Sequence, residues 1–219
     1  MNFNRRLPAA SICVTAIILI AQPPVAYARS AASIAVQLES NSRVDLSVQV
    51  VGELVPIDPK AEDFYNQGEE KYAKRDYQGA IADFDRAIEL NPNYINAYIG
   101  RGNARDDSGD SLGAIADYDR ALKIDPNNAD AYYNRGVTRS RLEDKPGALA
   151  DYDRALKIDP NNADAYYNRG VTRLSLEDKP GAIQDLQKAA ELYQQQGKTD
   201  DYQDALNQIR KLQETTETS

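Results

Sequence analysis

The sequence contains no histidine and no tryptophan, a single cysteine (Cys13) and a single methionine at its start. Without histidine, the commonest general base and transition-metal ligand is missing. One cysteine cannot close an intrachain disulfide. Neither a P-loop nor a dinucleotide fingerprint occurs. The net charge is −8, from 34 acidic against 26 basic residues, which argues against nucleic acid, whose binding depends on neutralising phosphates. Carboxylates are plentiful but scattered. Asp83/Asp85, Asp117/Asp119 and Asp151/Asp153 stand two apart, a spacing that points side chains of one helix in different directions. The run Asp125-Pro126-Asn127-Asn128-Ala129-Asp130 opens like a calcium loop but lacks the third ligand, the turn glycine and the closing glutamate. The expectation is a protein without catalysis, metal or cofactor.

Long apolar runs are equally scarce. The clearest, over residues 12–21, follows Arg5 and Arg6 and precedes Gln22-Pro23-Pro24 and Ala26-Tyr27-Ala28. A basic start, a short apolar stretch and an A-x-A site read as a cleavable secretory signal over residues 1–28. The run is short for a membrane span, and Cys13 within it does not form a lipoprotein site. Cleavage would remove the only cysteine and two arginines, leave the chain off the membrane, and make its charge more negative. The expected location is the periplasm or another extracytoplasmic space of a bacterium; an uncleaved membrane anchor is the alternative. Residues 29–60 read as an extended linker. In its later part Val44, Leu46, Val48 and Val50 alternate with Asp45, Ser47 and Gln49, the pattern of a single strand. Pro56 and Pro59 end this stretch.

What the chain does have is repetition. Residues 116–139 recur letter for letter at 150–173, 34 positions on. Gly68, Gly102, Gly136 and Gly170 keep that period, as do Ala80, Ala114, Ala148 and Ala182, and Ala87, Ala121, Ala155 and Ala189. Pro92, Pro126 and Pro160 follow it too. Aromatics stand at Phe64, Tyr98, Tyr132 and Tyr166, and again at Phe84, Tyr118 and Tyr152. This pattern resembles the tetratricopeptide repeat (TPR). It departs from that pattern at Gln67, Arg101, Arg135 and Arg169, where the family favours leucine, at Leu186 in place of an aromatic, and at Gln194 in place of the closing proline. The resemblance implies an all-α fold: a right-handed superhelical solenoid of four helix-turn-helix units (61–94, 95–128, 129–162, 163–196). A capping helix (197–213) and a polar tail (214–219) follow.

Local signals agree. Asp76, Asp110, Asp144 and Asp178 are placed to cap second helices, with Pro146 and Pro180 in the first turn. Asn-Pro or Asp-Pro then closes the first three second helices. A glycine inside a helix costs about 1 kcal/mol relative to alanine, so four at one repeat position imply close helix approach. Gly197 stops the last repeat helix, and Thr199 or Asp200 is placed to cap the next. Tyr202, Ala205, Leu206, Ile209 and Leu212 share one face of that closing helix.

The resemblance also implies a concave groove lined by positions 2, 5, 9 and 12 of each unit. These are Glu62, Tyr65, Glu69 and Tyr72; Asn96, Ile99, Asn103 and Asp106; Asp130, Tyr133, Val137 and Ser140; and Asp164, Tyr167, Val171 and Leu174. The stripe contains acids, asparagine, tyrosine and aliphatics, with no lysine or arginine. It suits an extended or helical segment of a partner protein carrying a basic residue; the alternative is that its tyrosines only shield the groove floor. The cations with which some TPR domains grip a chaperone C-terminus are missing from positions 2 and 5. A structural scaffold or homo-oligomer is the competing class. Arg101/Arg105, Arg135/Arg139 and Arg169/Arg173 recur with the period. They are expected to meet Asp117, Asp151 and Asp185, with a cationic ladder for an acidic peptide as the alternative.

Overall fold

The structure, a computed structural model, describes residues 59–217. The expected signal, and the expected linker up to residue 58 with its alternating 44–50 stretch, lie outside the described residues. Nine helices and no strand occur among the described residues: α1 (Pro59–Ala73), α2 (Tyr77–Leu90), α3 (Ile95–Asp107), α4 (Ser111–Ile124), α5 (Ala129–Arg141), α6 (Lys145–Ile158), α7 (Ala163–Ser175), α8 (Lys179–Gln195) and α9 (Thr199–Glu217). They form four hairpins stacked in chain order, and α9 packs on α8. No helix of the described residues is long and apolar enough to cross a membrane.

Two boundaries differ from expectation at the ends of the array. α1 begins at Pro59, two residues before the expected start. Proline is welcome in a first turn, where its missing N–H would have had no partner. α9 continues to Glu217, past the expected end at 213, because no glycine or proline interrupts it after Leu212. The cap of α9 also differs. Gly197 has φ +73° and turns the chain so that Lys198, ahead of Thr199, supplies the first carbonyl, accepting from Tyr202 N at 3.0 Å.

The second-helix caps are as expected. Asp76, Asp110, Asp144 and Asp178 accept from the amides of Gly79, Gly113, Gly147 and Gly181. Asn128 and Asn162 cap α5 and α7 in the same way. The calcium-like run is a turn: Asp125 Oδ1 accepts from Asn127 N at 2.9 Å, and Asp159 does the same for Asn161 at 3.0 Å.

Close approach explains the repeated glycines. A Cβ on Gly102 would stand 2.6 Å from the Tyr118 ring, on Gly68 2.7 Å from Phe84, and on Gly136 2.8 Å from Tyr152. Ala80, Ala114, Ala148 and Ala182 are fully buried on the facing helices. The large side chains beside them, Phe84, Tyr118, Tyr152 and Leu186, are almost fully buried. At about 2–3 kcal/mol each, they hold the hairpins shut.

The periodic arginines join one unit to the next. Arg101 donates to Asp117 of its own hairpin (Nε–Oδ2 3.0 Å) and to Asp85 of the preceding one. Arg135 bridges Asp151 and Asp119 likewise, and Arg169 bridges Asp185 and Asp153. Arg105, Arg139 and Arg173 reach the same inner aspartates at 2.7–2.8 Å. The guanidinium carbons lie 5.3–5.5 Å from the ring centroids of Tyr98, Tyr132 and Tyr166. This is the answer to the departure from leucine: a cation stacked on tyrosine and held between two carboxylates. Burial works against the charge of Arg101, Arg135 and Arg169, but the hydrogen bonds from the aspartates outweigh it and raise their pKa values. In the first unit, Gln67 stands at the clasp position, and Lys71 Nζ lies 2.6 Å from Asp83.

Candidate functional site

First helices meet first helices, α1 with α3, α3 with α5 and α5 with α7, whereas no comparable contact joins successive second helices. The stack therefore closes up on the first-helix side, and that side is concave. A shallow cleft of about 220 Å³ lies there across α1, α3 and α5. Five residues of the sequence-derived stripe line it: Tyr72, Asn103, Asp106, Tyr133 and Val137. Asp107, Tyr118, Asn134 and Arg141 complete the wall.

The cleft is a connected polar surface. Tyr72 donates to Asp107 Oδ2 at 2.6 Å. Arg141 donates to Asp106 Oδ2 at 2.6 Å and has Asp107 Oδ1 at 3.6 Å. Thr138 and Ser111 also donate to Asp106, at 3.0 and 2.6 Å. The Asp106 carboxylate, with its side chain only 6% exposed, is thus fully engaged inside the protein. Tyr118 donates to Asn103 at 2.8 Å, and Tyr133 Oη accepts from Asn168 Nδ2 at 3.0 Å.

The remaining stripe residues lie outside this cleft. Glu62, Asn96 and Asp130 are exposed near the starts of their helices. Tyr65 is half-buried, its ring 5.2 Å from Tyr94 and 5.8 Å from Phe84. Glu69 is exposed and reaches over Gly100 of α3, 3.2 Å from where a Cβ would stand. Ile99 packs into the core with Tyr98 and Leu122. Asp164 accepts from Tyr193 Oη at 2.7 Å and from Lys198 at 3.2 Å. Tyr167 stacks 6.4 Å from Tyr193, Val171 is exposed, and Ser140 and Leu174 are half-buried.

Partial burial shapes the chemistry. Tyr65 is pushed up to about 12 by burial, then by Glu69 and Tyr94. Burial first, then the hydrogen bond to Asp107, raises Tyr72. Burial and the Asp164 charge raise Tyr133. Burial raises the Glu69 carboxyl. These phenols stay neutral across ordinary pH and offer hydrogen bonds and flat contact area.

Sequence reading missed Arg141, Asp107, Tyr118 and Asn134. One signal was available for the first two. Arg141 stands where the fourth unit has Ser175 and the second has Asp107, so the cleft forms where units stop matching one another.

The fold and its open concave face define a helical-repeat interaction scaffold. The TPR repeat family matches residues 68–109, 107–142 and 141–177, and the tetratricopeptide repeat family matches 163–196. These matches span more than half of the chain, which therefore belongs to the tetratricopeptide repeat family, whose domains are protein-interaction modules. Comparison with curated proteins finds no match. Among solved structures, MamA from Desulfovibrio magneticus RS-1 (residues 41 to the end) has 22% identity and a TM-score of 0.58, over 74% of this chain and 98% of that one. The Arabidopsis OM64 TPR domain has 28% identity and a TM-score of 0.52, over 53% and 96%. The first TPR of Spaghetti (RPAP3), bound to the HSP90 peptide SRMEEVD, has 23% identity and a TM-score of 0.54, over 56% and 98%.

Proposed function

We propose that this chain is a non-catalytic adaptor that holds an extended or helical segment of a partner protein along the first-helix face. The observation that supports it is the cleft across α1, α3 and α5, where Tyr72, Asn103, Asp106, Asp107 and Arg141, residues that differ between units, meet Tyr133, Asn134 and Val137 of the repeated stretch. A shared packing role would have kept those five alike, as it kept Ala80 and its equivalents alike. Tyrosine gives rigid contact area with a polar tip, which favours it at interfaces. The exposed acids elsewhere on the first-helix stripe, Glu62, Glu69 and Asp130, suit a basic residue on the partner, whereas Asp106 and Asp107 already have Arg141. That pairing also leaves Arg141 engaged, so a grip on an acidic chaperone tail, as in the Spaghetti complex, is not proposed.

The same reading places the adaptor outside the cytoplasm, on the signal-like residues 1–28. N-terminal sequencing of the exported chain should begin at Arg29; a start at Met1 in a membrane pellet would favour the anchored form.

The binding test is selection of peptides from a display library against the full chain. Enriched peptides are then titrated against the Val137→Glu and Lys157→Glu variants. Val137 lines the cleft and Lys157 lies on a second helix. The expected result is a loss of about tenfold or more with Val137→Glu, about 1.4 kcal/mol, and none with Lys157→Glu. Equal affinity for both variants, or no enrichment, rejects the reading.

A further inference from the structure

On the outward faces of the second helices, one repeat position changes sign between outer and middle units. In the outer units, Arg86 pairs with Glu89 at 2.9 Å and Lys188 with Glu191 at 3.0 Å, each three residues apart on one helix face. In the middle units the same positions hold Arg120 with Lys123 and Arg154 with Lys157. All four are exposed, and Arg120, Lys123 and Lys157 take part in no ion pair among the described residues. Arg154 lies over the Tyr132 ring at 5.8 Å. The nearby acids are committed elsewhere, Asp119 to Arg135 and Asp153 to Arg169. A shallow depression of about 460 Å³ borders this patch, lined by Ala116, Asp119, Arg120, Leu122 and Lys123. A neutral pair has thus become a double cation twice in succession, on a chain of net charge −8.

A surface of four unneutralised cations asks for an acidic counterpart, and the chain carries one. α1 exposes Asp63 and Glu70 off the first-helix stripe; among the described residues Glu70 has Lys74 at 3.8 Å and Asp63 has no ion pair. Asp63 and Glu70, seven residues apart, share a helix face, and no helix precedes α1 among the described residues. We propose that a second copy of this chain docks its α1 acids onto the α4–α6 cations. The contact joins unlike surfaces, so it leaves a free acid end and a free cation patch and can propagate or close into a ring. At about 0.15 M salt, screening over about 8 Å suppresses the repulsion between two negative chains, while pairs in direct contact survive.

The test is sedimentation velocity of the full chain over a concentration series at about 0.15 M and about 0.5 M salt. Wild type should associate at the lower salt, with dissociation at least about tenfold easier at the higher. Lys123→Glu/Lys157→Glu should abolish association. It recreates the Arg–Glu arrangement of α2, so its helix content, checked by circular dichroism, should match wild type. Asp63→Lys/Glu70→Lys should abolish it as well, and the four changes together in one chain should restore it. A monomer at every concentration overturns the proposal, as when the patch instead serves another protein. So does association that either double variant leaves unchanged, or that salt strengthens. Because Val137 lies outside both surfaces, peptide binding and self-association fail separately.

Discussion

Residues 116–139 and 150–173 are the same 24-letter sequence in two places, so any difference between them comes from neighbours. Their inner clasp is the same. Arg135 and Arg169 each sit between two aspartates, and Tyr152 and Leu186, on the following helices, fill the same core position. Their outer surroundings diverge. Val137 is half-buried in the cleft, whereas Val171 is 40% exposed. Thr138 donates to Asp106 of an earlier hairpin, but Thr172 bonds only within its own helix. Asp130 is exposed, with no ion pair among the described residues, and Asp164 is held by Tyr193 and Lys198. One sequence therefore carries one way of packing and two surfaces. Core contacts are written inside a unit and its immediate clasp; the binding surface is written by what the next unit brings.

The largest expected effect tests the shared part. Asp151→Ala leaves Arg135 and Arg139 without their buried carboxylate and should cost about 3 kcal/mol or more. Asp185→Ala, its equivalent, should cost the same to within about 1 kcal/mol. Urea unfolding gives both values, and a larger gap would mean that the two clasps are not equivalent. A smaller effect should separate the two segments. Gly136→Ala drives a Cβ to 2.8 Å from the Tyr152 ring, while Gly170→Ala meets Leu186 Cγ at 3.1 Å. A planar ring in a packed core gives way less than a branched aliphatic. Gly136→Ala should cost about 2 kcal/mol, and Gly170→Ala under about 1 kcal/mol, since alanine's helix preference offsets the crowding. Equal losses would show that the ring is not what resists.

The smallest effect concerns the first unit, where the stripe tyrosine is packed between two aromatics. The Tyr65 phenol ionises at 10.0 when unfolded and near 12 when folded. The folded chain then holds its proton longer, so stability is level below pH 10 and falls as pH rises toward 12. The urea midpoint should drop between those values, and Tyr65→Phe should shallow the drop. An unchanged slope would place the phenol in water.

The period, the capping aspartates, the glycine contacts and the Arg–Asp pairing were all legible in the sequence, because each depends on spacing within one or two units. Arg141 was not. Its long side chain leaves a helix position outside the stripe and reaches Asp106, 35 residues back, and nothing in a single unit encodes that reach. The ends were partly legible for the same reason: Pro59 reads as a stop before the helix and acts as its start.

The clasp also bears on how such a chain changes length. Each arginine draws one aspartate from its own hairpin and one from the hairpin before. At the ends, Gln67 stands where the arginine would be, and Gln187 and Gln203 stand where the next aspartate and arginine would follow. The clasp positions at both ends of the array are therefore uncharged. An in-frame duplication or loss of the 34 codons for residues 116–149, the event unequal exchange between identical stretches produces, leaves every remaining clasp complete. Copy number can drift in a lineage without stranding a clasp arginine or its aspartates.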